Sequence, residues 1–96
     1  MKVEFSDEAQ VQVQQIDAWW RQNRPFAPDL FTAELDDAVL RLERMPTLGT
    51  RYQGSVNATR RLLLRRTRYH IYFIGRAESL YVLAVWSVYR GRGPKL

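Results

Sequence analysis

Residues 60–87 read RRLLLRRTRYHIYFIGRAESLYVLAVWS, and the way this stretch divides decides the fold. Three runs within it, RRLLLRR, YHIYFI and LYVLAVWS, are dense in Leu, Val, Ile, Tyr, Phe and Trp, residues that suit a pleated, half-buried surface. Thr67-Arg68 parts the first run from the second, and Gly75-Arg76-Ala77-Glu78-Ser79 parts the second from the third. The runs therefore predict three consecutive strands joined as two hairpins. Arg60, Arg61, Arg65 and Arg66 bracket the first strand, and Arg90, Arg92 and Lys95 follow the last. A sheet with cations at its margins offers a surface to an anionic partner.

Upstream of the strands the pattern changes period. Lys2-Val3-Glu4-Phe5 alternates polar and apolar residues and predicts a short first strand. Ser6 is a good helix N-cap, and Asp7 and Glu8 place negative charge where the helix dipole favours it. A helix is expected from Asp7 to Arg24. Ala9, Val13, Ile16 and Trp20 form one stripe of it, widened by Trp19, and Pro25 ends it. A second helix is expected from Pro28, which suits the first helical position. Phe31, Leu35, Ala38, Leu42 and Met45 then repeat at spacings of four, three, four and three, until Pro46 closes the pattern. A connection of about three or four residues makes the two helices an antiparallel hairpin. The following segment, PTLGTRYQGSVNA, reads as a loop carrying Arg51 and Tyr52.

Composition limits what such a chain can be. Ninety-six residues, 46% hydrophobic and 26% charged, suit one globular domain with one modest core. A single domain over residues 1–96 is expected, with residues 88–96 as an irregular tail. The absence of cysteine excludes disulfides and thiolate metal sites and fits a reducing cytoplasm. The start, MKVEFSDEAQ, has no apolar signal region, and no apolar run approaches the roughly 20 residues of a membrane helix. A cytoplasmic protein with no membrane, metal or cofactor partner is the expectation. Residues 1–45 hold nine acids and five Lys/Arg, a balance of −4, whereas residues 46–96 hold one acid, Glu78, and ten Lys/Arg, a balance of +9. The basic half points to an anionic partner, either nucleic acid, a nucleic-acid-bound machine or an acidic protein segment. Arginines at strand ends also guard sheet edges against aggregation, so part of this charge has a structural reading.

The expected class is α+β, in the order β-α-α-β-β-β: an αα-hairpin packed on one face of a small, mainly antiparallel sheet. That order resembles the RelE/ParE superfamily, the toxins of type II toxin-antitoxin modules, over essentially the whole chain. The residues that carry the likeness are the arginine-led strand RRLLL, the strand Tyr69-His70-Ile71-Tyr72-Phe73, and Val82-Leu83-Ala84-Val85-Trp86 running into Tyr89-Arg90-Gly91-Arg92-Gly93-Pro94. The resemblance implies growth inhibition, a cognate antitoxin as partner and a possible toxin-antitoxin hetero-oligomer.

It also implies one of two chemistries. RelE-like members cleave messenger RNA in the ribosomal A site, which takes cations at the scissile phosphate and groups that move protons. ParE-like members inhibit DNA gyrase by binding. As a ribonuclease the chain would have Arg61, Arg65, His70, Tyr89 and Arg90 as its candidates. His70 is its only histidine, however, and stands where RelE-like strands carry a phosphate-binding arginine; Glu78 is the only acid in the basic half. So few proton-transfer groups favour the ParE-like reading, with no catalytic residue. On that reading Arg60, Arg61, Arg65, Arg66, Trp86, Tyr89, Arg90, Arg92 and Lys95 contact the target or antitoxin. A third reading is a non-toxic nucleic-acid-binding module whose affinity falls steeply with salt.

Overall fold

In the computed structural model, which describes residues 1–53 and 58–96, the chain runs β1 (Lys2–Phe5), α1 (Asp7–Asn23), α2 (Leu30–Arg44), β2 (Thr50–Arg51), β3 (Arg60–Leu64), β4 (Tyr69–Arg76) and β5 (Ser79–Ser87). The strands form one sheet in the order β1-β5-β4-β3-β2, in which β1 runs parallel to β5 and every other pairing is antiparallel. The α+β class and the helical hairpin on one sheet face are as expected. The strand β2 is an addition: two residues of the segment read as a loop pair with Arg60 and Arg61. Gly49 lets the chain reach that edge, because its φ is +87 and a Cβ there would collide with the Arg61 carbonyl oxygen. Part of the same segment, residues 54–57, lies outside the described residues.

Local chemistry explains the helices. The Ser6 hydroxyl accepts from the Ala9 amide at 3.0 Å, capping α1, and donates to the Leu83 carbonyl at 3.2 Å, tying that cap to the sheet. Ala9 and Trp20 are buried and Val13 and Ile16 pack beside them, but Trp19 stands 44% exposed and does not widen the stripe. In α2 the stripe holds through Phe31, Leu35, Ala38 and Leu42, all buried. Met45 falls at the C-cap, where the chain leaves the helix, and is exposed. Pro28 is not the first helical residue: Asp29 is the N-cap, and its carboxylate pairs with Arg21 of α1 at 2.8 Å.

In the sheet, Leu62 and Leu64 of β3 and Tyr69, Ile71 and Phe73 of β4 face the helices. The register slips once. Tyr72 pairs with Ala84 and Phe73 with Val82, leaving Leu83 as a bulge. Strict alternation would turn either Val82 or Val85 outward, and the extra residue lets both reach the core.

Glu34 joins α2 to the turn between β3 and β4. Its carboxylate accepts from the amides of Arg66 and Thr67 at 2.7 and 2.9 Å and from the Thr67 hydroxyl at 2.6 Å. Burial alone pushes this carboxyl up, but those three donors and the charge of Arg66 outweigh it and hold it below its ordinary 4.5. With the folded value below the unfolded one, the contribution to stability is complete above pH 4.5 and is lost as pH falls through the lowered value. Glu34→Gln is expected to cost about 1 to 2 kcal/mol at pH 7, and to remove part of the acid limb of the stability curve. Urea unfolding at neutral and acidic pH checks both; equal acid sensitivity in the two proteins would rule out the Glu34 contribution.

Candidate partner-binding surface

The helices cover one face of the sheet, and register places Arg61, Leu63, His70, Tyr72, Ile74, Tyr81, Ala84 and Trp86 on the other. Aromatic rings run across it. Tyr52 meets Tyr72 edge-on at 4.9 Å, His70 meets Tyr72 at 5.9 Å, and the Arg61 guanidinium lies 5.3 Å over the Tyr52 ring. The C-terminal tail folds back onto this face. The Trp86 indole N–H donates to the Arg92 carbonyl at 2.7 Å, and the Arg90 guanidinium lies 4.1 Å over the same indole. Gly93 sits where a Cβ would come 2.5 Å from the Tyr52 hydroxyl, so only a glycine passes there without displacing the tyrosine. The tail is irregular but anchored.

The expected site residues divide by environment. The Arg60 guanidinium donates at 2.8 Å to the carbonyls of Thr47 and of Gly49, fastening the loop before β2. Arg65 and Arg66 are exposed at the β3–β4 turn, and Arg90, Arg92 and Lys95 are exposed along the tail. Tyr89 is 80% exposed. His70 is half-buried; burial first, and the charge of Arg61 second, lower its pKa from the ordinary 6.5, which favours the neutral imidazole. Arg61, Arg65 and His70 line a cleft of about 420 Å³ between α2 and the β3 edge. Trp86, Tyr89 and Arg90 line a different cleft, of about 540 Å³, between α1 and the end of β5. The two proton-moving candidates of the ribonuclease reading, His70 and Tyr89, thus line different clefts, and the cleft of His70 also has Glu34 and Asp37 of α2 in its lining. Among the described residues no cluster of three or more His, Cys, Asp or Glu could hold a metal, and no helix is long and apolar enough to cross a membrane.

The second cleft includes residues that sequence reading did not assign to a site. Arg24 reaches back to lie 4.8 Å over the Trp19 ring and 5.8 Å over Trp20. Part of the signal was in Trp20 and Arg24, four positions apart and so neighbours on a helix; the closer ring, Trp19, is five positions back and is reached because Arg24 is the C-cap and leaves helical geometry. Sequence alone gives Arg24 only as the end of α1.

Three comparisons bear on the family. No curated protein sequence matches the chain. Among solved structures it is similar to the chromosomal ParDE toxin-antitoxin system from P. aeruginosa: TM-score 0.73, 18% identity, 92% of this chain and 96% of that one covered. At that identity the likeness speaks for the fold. The model of the ParE toxin of the type II toxin-antitoxin system parDE matches residues 3–90, from the first strand through β5 to Arg90 at the base of the tail. With the helical hairpin, the sheet and the basic margin all inside that span, the chain belongs to the ParE toxin family of type II toxin-antitoxin systems.

Proposed function

We propose that this toxin acts in the cytoplasm by binding DNA gyrase through its basic half, without catalysis or a cofactor, and that a cognate antitoxin neutralises it in a hetero-oligomer. One observation carries the reading: Arg65 and Arg66 at the sheet margin and Arg90, Arg92 and Lys95 along an anchored tail are all exposed, while His70 and Tyr89 line separate clefts. A binding inhibitor needs a shaped, charged surface held in place, which the tail contacts of Trp86 and Gly93 provide. General acid–base cleavage of RNA needs its proton-moving groups around one phosphate.

The test runs purified protein in parallel in gyrase supercoiling and in cleavage of messenger RNA on programmed ribosomes. Supercoiling is expected to be inhibited and the message left whole. A cut message with normal supercoiling would replace this reading by the RelE-like one. Neither effect, together with DNA affinity that falls steeply with salt, would favour a nucleic-acid-binding module.

A further inference from the structure

The cleft of about 540 Å³ between α1 and the end of β5 has a chemistry of its own. Arg24 and Arg90 both line it, each held over an indole ring, and neither has an ion-pair partner among the described residues. No Asp or Glu is among the lining residues. A guanidinium over an aromatic face has already given up hydration and side-chain freedom, while the N–H donors at its rim stay available to a carboxylate. Ile16, Val85, Trp19 and Trp20 give the cleft its apolar lining, beside the polar side chains of Gln12, Gln15, Thr67 and Ser87.

One wall is also a strand edge. β1 pairs with β5 only as far as Val82, so from Leu83 to Ser87 that side of β5 has no strand neighbour among the described residues. The Gln12 side-chain oxygen stands in for one, accepting from the Val85 amide at 2.8 Å. With the Ser6 hydroxyl on the Leu83 carbonyl at 3.2 Å, α1 and its cap already meet the backbone of this edge, so the cleft recognises a ligand through its side chains.

We propose that this cleft docks an acidic peptide segment in which a carboxylate neighbours an aromatic or branched aliphatic side chain. The carboxylate pairs with Arg24 and Arg90, and the apolar side chain lies against Ile16 and Trp19. Single-stranded nucleic acid fits less well, because the arginines lie over the indoles on which its bases would stack. The proposal deepens the antitoxin reading above, on which it rests for the owner of the segment. The chemistry of the cleft stands without it.

The test uses the full chain and a blocked peptide, acetyl-Glu-Leu-Phe-Glu-Asp-Leu-amide. It contains no tryptophan, so tryptophan fluorescence and the three indole N–H resonances report on the protein. Saturable binding is expected, with the indole signals of Trp19 and Trp20 shifted. Arg24→Gln and Arg90→Gln should each weaken it about tenfold, the loss expected for a charge-assisted hydrogen bond. Arg44→Gln, the same charge change at the exposed end of α2, should leave affinity within about twofold. Thermal unfolding shows whether each variant is folded; if Arg24→Gln is not, Arg24→Lys keeps the charge and is expected to bind more weakly than wild type. No binding at millimolar peptide overturns the proposal, as does an equal loss in Arg44→Gln. So does a twelve-residue oligothymidylate that shifts the same indoles where the peptide does not. Failure here leaves the gyrase result untouched, and failure to inhibit gyrase leaves peptide affinity unchanged, so the two are told apart.

Discussion

Reversing Arg90 and Arg92 to glutamate is expected to abolish growth inhibition on induced expression, with thermal unfolding almost unchanged. Both side chains are exposed, and the tail is anchored through the Arg92 carbonyl, which the substitution keeps. The contact of Arg90 with Trp86 would be lost, at about 0.5 to 1 kcal/mol for an exposed site. The field changes far more. Two reversals lower the net charge by four, from +5 to +1, and put acids where an anionic partner would meet the tail. His70→Ala should keep most of the inhibition, since binding transfers no proton. Under ribonuclease chemistry His70 and Tyr89 would each be worth about 10² to 10⁴ in rate. Loss of activity on His70→Ala or Tyr89→Phe, with activity retained on reversing the arginines, would overturn the binding mechanism.

Phe31→Ala should lower stability by about 3 to 5 kcal/mol. The ring is fully buried and meets Tyr69 edge-on at 5.1 Å. The Tyr69 hydroxyl in turn accepts from the Trp20 indole N–H at 3.1 Å, so one aromatic triad joins α1, α2 and β4. Deleting the ring leaves a cavity at that junction and unseats the tyrosine that receives the hydrogen bond. A domain of this size has about 5 to 15 kcal/mol in total, so the variant would be close to unfolding. Chemical denaturation checks this against Leu40→Ala, whose side chain is 59% exposed and whose loss should stay within about 0.5 kcal/mol. Equal losses at the two positions would mean that α2 does not pack through the stripe containing Phe31.

The features legible in the sequence are those set by near neighbours. The spacing of Phe31, Leu35, Ala38 and Leu42 announced a buried helix face, and the turn signals between residues 60 and 87 separated three strands. Ser6 marked its helix start because a cap needs only the next three residues. Features that depend on distant chain were hidden. A two-residue strand such as β2 has no period to detect and exists because an edge is there to receive it. The bulge at Leu83 follows from fitting Val82 and Val85 against the same helices. Alternation placed Arg60 with Leu62 and Leu64, but not which face met the helices, so its role in fastening a loop was out of reach. Composition found the basic margin as a whole. The contact between Gly93 and Tyr52 joins segments some forty positions apart and carried no local signal.

The place of β5 in the sheet bears on how the toxin is made. It is the last element of the chain, yet it lies between β1 and β4, and Lys2 at the start pairs with Ser79 near the end. Translation delivers the N-terminus first, so β1 and α1 leave the ribosome long before their principal neighbour exists. Contacts of such long sequence separation form late and slowly. A chain halted before Ser79 lacks Leu80, Val82 and Val85 of the core as well as the whole tail. An interrupted message is therefore expected to yield a polypeptide that cannot complete this core.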